Sequence, residues 1–341
     1  MSITRRFGIP AATLILAAVV WRAPVEAQSS WVHDWLRDYA AGRAADVAER
    51  LTSVANLKTL ESDLDLLLKG WLKEPGAPED VRRRQIAAFA LEAAYSRLDQ
   101  GSTATSLVEW ACRQVRRSPT RGEFERRFML AAFGLFAGAV APNELETHIS
   151  HVKLLFPREP RLTYERAVAD ELRAAPFYEG GRSSPRDVQA SYQSAAKWFR
   201  EAAKVESTRA EANLRLGHVE LALGHPDAAL AALEQAEAAT TDPSLVFLAR
   251  LFRGQAFEKL TRPEEAARAY ELALAIKPGA QSASMALAAL RFQSGQRDVA
   301  DGMISALLVR PDQPDDPWWL YWPADFRYAG SLVLGMRESL K

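Results

Sequence analysis

Residues 254–278 read GQAFEKLTRPEEAARAYELALAIKP: a glycine, a charged turn, alanines at fixed stations and a closing proline. Such a run suits two helices pressed back to back, since helix axes approach closely only where side chains are small. The same stations recur on both sides. Gly254 is matched by Gly217 at 37 residues before and Ala288 at 34 after, and Ala266 by Ala229 and Ala300 at the same offsets. Tyr270 is matched by Leu233 and Ile304, Ala273 by Ala236 and Leu307, and the turn position reads Gly224, Thr261 and Gly295. One register held through three units is an internal repeat, and it predicts helical hairpins that cover their apolar faces by stacking on one another.

The turns GHPDAA, TRPEEAA and GQRDVA each put a turn former first and an acidic residue at the opening of the next helix, where it suits the helix dipole. Pro226 and Pro263 stand near helix starts, where no backbone donor is needed. In this reading Gly217, Gly254 and Ala288, with the first alanines of the second helices, are the close contacts within a hairpin. Leu233, Tyr270 and Ile304 fill the space between neighbouring hairpins.

The pattern resembles the tetratricopeptide repeat. Its stations are matched by Leu216, Gly217, Gly224, Ala229, Leu233 and Ala236, then by Gly254, Phe257, Ala266, Tyr270, Ala273 and Pro278. A third set is Leu287, Ala288, Gly295, Ala300, Ile304 and Leu307. The family's usual first-helix tryptophan is replaced by Asn213, Arg250 and Ser284. The resemblance implies an all-α fold, an α-solenoid of antiparallel helix pairs wound as a right-handed superhelix, with clear units at about 210–243, 247–280 and 281–309. Stepping back 34 residues from Ala229, Leu233 and Ala236 lands on Ala195, Phe199 and Ala202, which makes 160–207 a degenerate unit with a long turn around 176–187.

Residues 28–157 read as divergent helical hairpins, either a continuation of the solenoid or a separate helical domain, with helices expected over 30–41, 43–55, 57–72, 78–99, 104–117, 121–138 and 142–155. Residues 310–341 change character: Trp318, Trp319, Tyr321 and Trp322 crowd together ahead of an amphipathic helix. Such a segment reads as a cap over the last hairpin, or as an aromatic platform for sugar or peptide.

The N-terminus reads as a signal peptide. Arg5 and Arg6 precede the apolar run 8–21, and Val25 and Ala27 place small residues before a cleavage point after Ala27. An uncleaved anchor is the alternative. Removing 1–27 takes three of the 43 basic residues and one of the 43 acidic ones, leaving 40 against 42. That balance offers no general attraction to nucleic acid or anionic lipid. The expected location is periplasmic or secreted, with no stable membrane span after cleavage and a place in an envelope complex as one possibility. Cys112 is the single cysteine, so no intramolecular disulfide forms, and its place on an apolar helix beside Trp110 predicts a buried structural thiol.

Motifs for chemistry are sparse. Ser194-Ala-Ala-Lys197 has the Ser-x-x-Lys spacing of penicillin-recognising enzymes but falls inside a repeat helix, and no Lys-Thr-Gly follows. Glu144, His148 and His151 share a helical face, which lacks a further metal ligand by sequence; His218 and His225 read as exposed. No cofactor, metal site or catalytic group is expected, and the chain reads as a scaffold that binds a protein or peptide. By the resemblance, the ligand-facing stations of the first helices are Glu211, Leu214, His218 and Leu221, then Leu251, Gln255, Glu258 and Lys259, then Met285, Phe292 and Gln293. Two other classes stay open: an enzyme with its site in 31–155, and a carbohydrate or cell-wall binder using the Trp-rich segment.

Overall fold

The computed structural model describes residues 25–51, 53, 57, 60–73, 76–175, 184–309, 316–322 and 325–339. Sixteen α-helices and no strand occur among them. The chain divides into two compact units, one formed by residues through Thr120 together with Leu334 onward, the other by Arg121–Val333. The apolar run 8–21, most of the long turn after Ala175 and residues 310–315 lie outside the described residues.

The second unit is a series of helix pairs: α6 (Glu123–Gly138) with α7 (Pro142–Leu155), α8 (Leu162–Ala174) with α9 (Pro185–Ala202), α10 (Arg209–Ala222) with α11 (Pro226–Ala238), α12 (Pro243–Lys259) with α13 (Pro263–Ile276), and α14 (Gln281–Gln293) with α15 (Arg297–Leu308). Each helix packs on the next, and α10 also touches α12 across its neighbour. This is a solenoid of stacked hairpins, as the repeat register predicts.

The turn stations have a common physical basis. Gly224, Thr261 and Gly295 all have positive φ. At each, the helix closes by one pair of hydrogen bonds: His225 N–H to Glu220 O and Gly224 N–H to Leu221 O, Arg262 to Phe257 and Thr261 to Glu258, Gln296 to Arg291 and Gly295 to Phe292. This is the Schellman closure, which needs a left-handed residue at its first non-helical position. Val140 (φ 51°) makes the same closure between α6 and α7, with Ala141 bonded to Phe136 and Val140 to Ala137. Pro142 follows at the helix start, as Pro226 and Pro263 do in their hairpins. The α6–α7 pair is therefore built like the clear repeats, although the sequence reading placed it with the divergent region.

The close-approach stations behave as expected in one respect and differ in another. A Cβ added to Gly217 would lie 2.4 Å from Leu233 Cγ, and one added to Gly254 would lie 2.2 Å from Tyr270 Cε1. Leu233 and Tyr270 thus sit on the glycine of their own hairpin; they do not mainly fill the gap between hairpins, as the sequence reading held. The bare backbone leaves a hole that the bulky side chain of the second helix occupies. Gly217, Ala229, Ala236, Gly254, Ala266, Ala273, Ala288 and Ala300 are all buried. Ile304 is the exception, at 36% exposure. Ala288 carries a Cβ where Gly217 and Gly254 have none, and among the helices α15 packs substantially on α14 alone.

The first unit gathers around α4 (Glu79–Ser96), whose residues Gln85–Ala94 are all buried. It touches α1 (Val25–Ala40), α2 (Ala44–Leu51), α3 (Leu60–Trp71) and α5 (Gly101–Arg117). Inside lies Glu92, which accepts two hydrogen bonds from Arg337 on α16 (Asp325–Ser339), at 2.5 and 2.7 Å, and one from Tyr39 at 3.5 Å. Burial pushes the Glu92 carboxyl above its ordinary value despite the Arg337 charge. Cys112 on α5 is buried, and burial pushes its thiol up to about 12, as befits a structural residue.

Candidate functional site

The first helices of the second unit, α8, α10 and α12, converge on a short stretch of the chain itself. Residues Pro317–Leu320 form one turn of 3-10 helix lying against α12, and Tyr321 and Trp322 continue from it. The stretch runs across the hairpins in the reverse of their chain order. Asp316 begins it at the N-terminus of α14, accepting from Ser282 N–H (2.7 Å) and Ser282 Oγ (3.0 Å). A carboxylate there meets unpaired backbone donors and the positive end of the helix dipole. Asp316 also caps its own turn, accepting from Trp318 N–H at 3.0 Å.

Next, Trp318 and Tyr321 lie edge-on to Phe252 of α12, with ring centroids 5.9 and 5.1 Å away. His218 of α10 faces Tyr321 at 4.7 Å, Phe252 at 5.0 Å and Trp322 at 5.4 Å. Tyr321 then ends in a buried polar socket. Its hydroxyl donates to Glu171 Oε1 of α8 (2.5 Å), and its carbonyl accepts from Arg215 Nη2 of α10 (3.1 Å). Arg215 also binds Glu171 Oε2 at 2.6 Å and Tyr164 Oη at 3.1 Å, and His218 Nδ1 lies 2.9 Å from Glu171 Oε1.

Glu171 and Arg215 are 0% and 1% exposed, so this is a charge pair removed from water. Such burial is costly unless the charges are paired and hydrogen-bonded, and here each side-chain nitrogen and oxygen of the pair has a partner. Burial alone would raise the Glu171 carboxyl; the Arg215 charge and the His218 contact outweigh it and hold the carboxyl below its ordinary value of 4.5. The Tyr321 hydroxyl is pushed well above its ordinary value by burial and by the Glu171 charge.

Of the ligand-facing stations expected from the sequence, only His218 belongs to this socket, half-buried and paired, not exposed as first read. Leu214, Leu221 and Leu251 are core residues, 2%, 4% and 1% exposed, which corrects their assignment to a ligand surface. The socket residues Arg215 and Phe252 stand one position further on, where the helix turns toward the face. For Arg215 the available signal was the one arginine in the largely apolar run ANLRLGHVELA, which has Glu171 in AVADELRAA as a partner of opposite charge. Glu211 lies within 3.8 Å of Arg161. Glu258 accepts from the Tyr270 hydroxyl, so it supports packing as well as facing outward. Gln255 is half-buried, while Lys259, Met285, Phe292 and Gln293 are exposed. His225 is exposed beside Glu220.

The aromatic segment meets the last hairpin at the N-terminus of α14, through Asp316, but leaves apolar residues of that hairpin's second helix uncovered. Val299, Leu308 and Val309 of that hairpin stay exposed while Tyr321 is fully buried in the first-helix socket, a better refuge because it meets the hydroxyl and the carbonyl together. The segment does not form a sugar platform: Trp318 and Trp322 pack on the core cluster, and Trp319 alone is largely exposed. Ser194 donates to Asp170 at 2.6 Å and Lys197 lies over the Trp198 ring, so these two are not a nucleophile and its base. His148 turns away from Glu144 and His151 into the core, bonded to Met129 O at 2.8 Å and edge-on to Phe133. Among the described residues no cluster of metal-ligating side chains occurs, and no helix is long and apolar enough to cross a membrane.

Stacked hairpins of this kind define the class of helical-repeat solenoids. Residues 214–281 match the family model for the tetratricopeptide repeat, so this stretch of the chain carries that repeat. Solved structures that match the chain include MamA 41-end from Desulfovibrio magneticus RS-1, 18% identical, covering 55% of this chain and 96% of that one with a TM-score of 0.42. The apo form of RapI is 12% identical, covering 89% of this chain and 82% of that one at 0.46. Yeast Tom70 is 10% identical, covering 86% and 88% at 0.20. No curated protein matches the chain in sequence.

Proposed function

We propose that this protein is an exported scaffold that acts by binding, not by catalysis, and that it holds a peptide or protein segment on the face made by its first helices. The observation that carries the reading is the seating of Asp316–Trp322 on that face. A short stretch of chain is gripped there through a side-chain carboxylate, aromatic rings, a backbone carbonyl and a phenol hydroxyl. Contacts of this mixed polar and aromatic kind suit the capture of a short linear segment. Exposed Met285, Phe292 and Gln293 extend the same helices' outward surface.

The test is affinity capture from an envelope extract with the full-length chain and with a Met285→Ala, Phe292→Ala variant. The reading expects a protein retained by the first and depleted at least several-fold with the second. Equal retention by both moves the interface elsewhere. Export is tested separately by cell fractionation and N-terminal sequencing of the mature chain. A protein in the periplasm or medium beginning at Gln28 is expected; a cytoplasmic chain retaining residues 1–27 refutes export.

A further inference from the structure

We infer that the first-helix socket is a reader of acidic–aromatic peptides, and that Asp316–Trp322 is the chain's own copy of the ligand, which an incoming partner segment displaces. The inference rests on the binding reading above and specifies the chemistry of what binds.

Three features separate a reader from a structural plug. The socket is complete without the segment: Glu171 keeps Arg215 and His218, and Arg215 keeps Glu171 and Tyr164, all on α8 and α10. Departure of Tyr321 therefore leaves no unpaired carboxylate. The contacts are also those of recognition. One carboxylate is read by the N-terminus of α14, one aromatic ring by Phe252, and one hydroxyl by Glu171, at fixed separations along the segment: Asp316, Trp318, Tyr321. Finally, the hydroxyl is read specifically. A phenylalanine at the same place would fill the ring's volume but leave Glu171 without its third partner. The matching partner carries an acidic residue, an aromatic two positions on and a tyrosine five positions on, in a compact turn.

The probe is a fluorescein-labelled synthetic peptide of residues 314–324, PDDPWWLYWPA, titrated against the full chain by anisotropy. The wild-type chain, with its socket filled in cis, is expected to bind at least tenfold more weakly than an Asp316→Ala, Tyr321→Ala chain. A peptide with phenylalanine for Tyr321 is expected to lose at least tenfold on that variant. Equal affinity for the two chains, or for the two peptides, overturns the inference. A variant that fails to fold is bypassed on the wild-type chain. Saturating peptide is expected to raise deuterium uptake across 316–322, and unchanged uptake overturns displacement. A partner captured as above whose retention the peptide does not reduce also overturns this inference while leaving the scaffold reading intact.

Discussion

Replacing Gly254 with alanine tests the packing rule of the repeat directly. In an ordinary exposed helix position Gly→Ala is favourable by about 1 kcal/mol, because alanine restricts the unfolded chain and propagates the helix. At Gly254 the new methyl would stand 2.2 Å from Tyr270 Cε1 and 2.6 Å from Cδ1 and Cζ. Those atoms belong to a fully buried ring whose hydroxyl is tied to Glu258, so they are not the loose end of a flexible chain. Overpacking of that kind costs about 1–3 kcal/mol. Set against the propensity gain, the net expectation is a loss of about 1–2 kcal/mol. Gly302, on α15, supplies the opposite case: nothing lies within 4 Å of its added Cβ, and Gly302→Ala is expected to stabilise by roughly 0.5–1 kcal/mol. Urea unfolding of wild type and both variants, followed by far-UV circular dichroism, gives the two signs side by side. Replacing Tyr270 with leucine in the Gly254→Ala background is expected to recover part of the loss, since the two changes couple through one contact. If Gly254→Ala is as stable as Gly302→Ala, the close approach of α12 and α13 is not what the glycine station serves.

Thr261→Gly is expected to stabilise by about 0.5–1 kcal/mol, because a β-branched residue is strained at φ 56°, where Gly224 and Gly295 stand in the sister turns; a drop in melting temperature would contradict the shared closure. Arg337→Ala is expected to cost about 3 kcal/mol by leaving Glu92 buried and unpaired, and Glu92→Gln distinctly less, compared by chemical denaturation; equal costs would count against the ion pair. Two of the buried glutamates, Glu171 and Glu92, respond oppositely to pH. The Glu171 carboxyl is held below 4.5, so its contribution is present above that pH and is lost only as pH falls through the lower folded value. The Glu92 carboxyl is raised, so its contribution is present below 4.5 and is lost as pH rises through the higher folded value. Hydrogen exchange corrected for intrinsic rates is therefore expected to keep 316–322 protected at pH 5 and release it in stronger acid. Release already at pH 5 would mean that Glu171 does not hold the segment.

The hairpins were legible because their cause is local. A glycine that admits a bulky partner, a left-handed residue that closes a helix and a proline that opens the next recur at fixed offsets, and chemistry at such offsets survives as a pattern in one dimension. The α6–α7 pair was read as two helices but not as a unit like the clear repeats, because Val140 occupies the left-handed station where those repeats have Gly or Thr. The socket escaped for a different reason. Glu171, Arg215, Phe252 and Tyr321 come from four separate elements, and Glu171 and Tyr321 are 150 residues apart. No short-range rule links them. Leu214 and Arg215 are neighbours in sequence, yet one enters the core and the other the socket, because one helical step of about 100° separates the two faces. Sequence alone thus determined that the chain stacks helical hairpins, since close packing and turn geometry depend on residues near one another. Which side chains meet on the first-helix face, and that the chain's own aromatic segment lies there, was decided by the tertiary structure, since buried charge is tolerable only where distant partners arrive together.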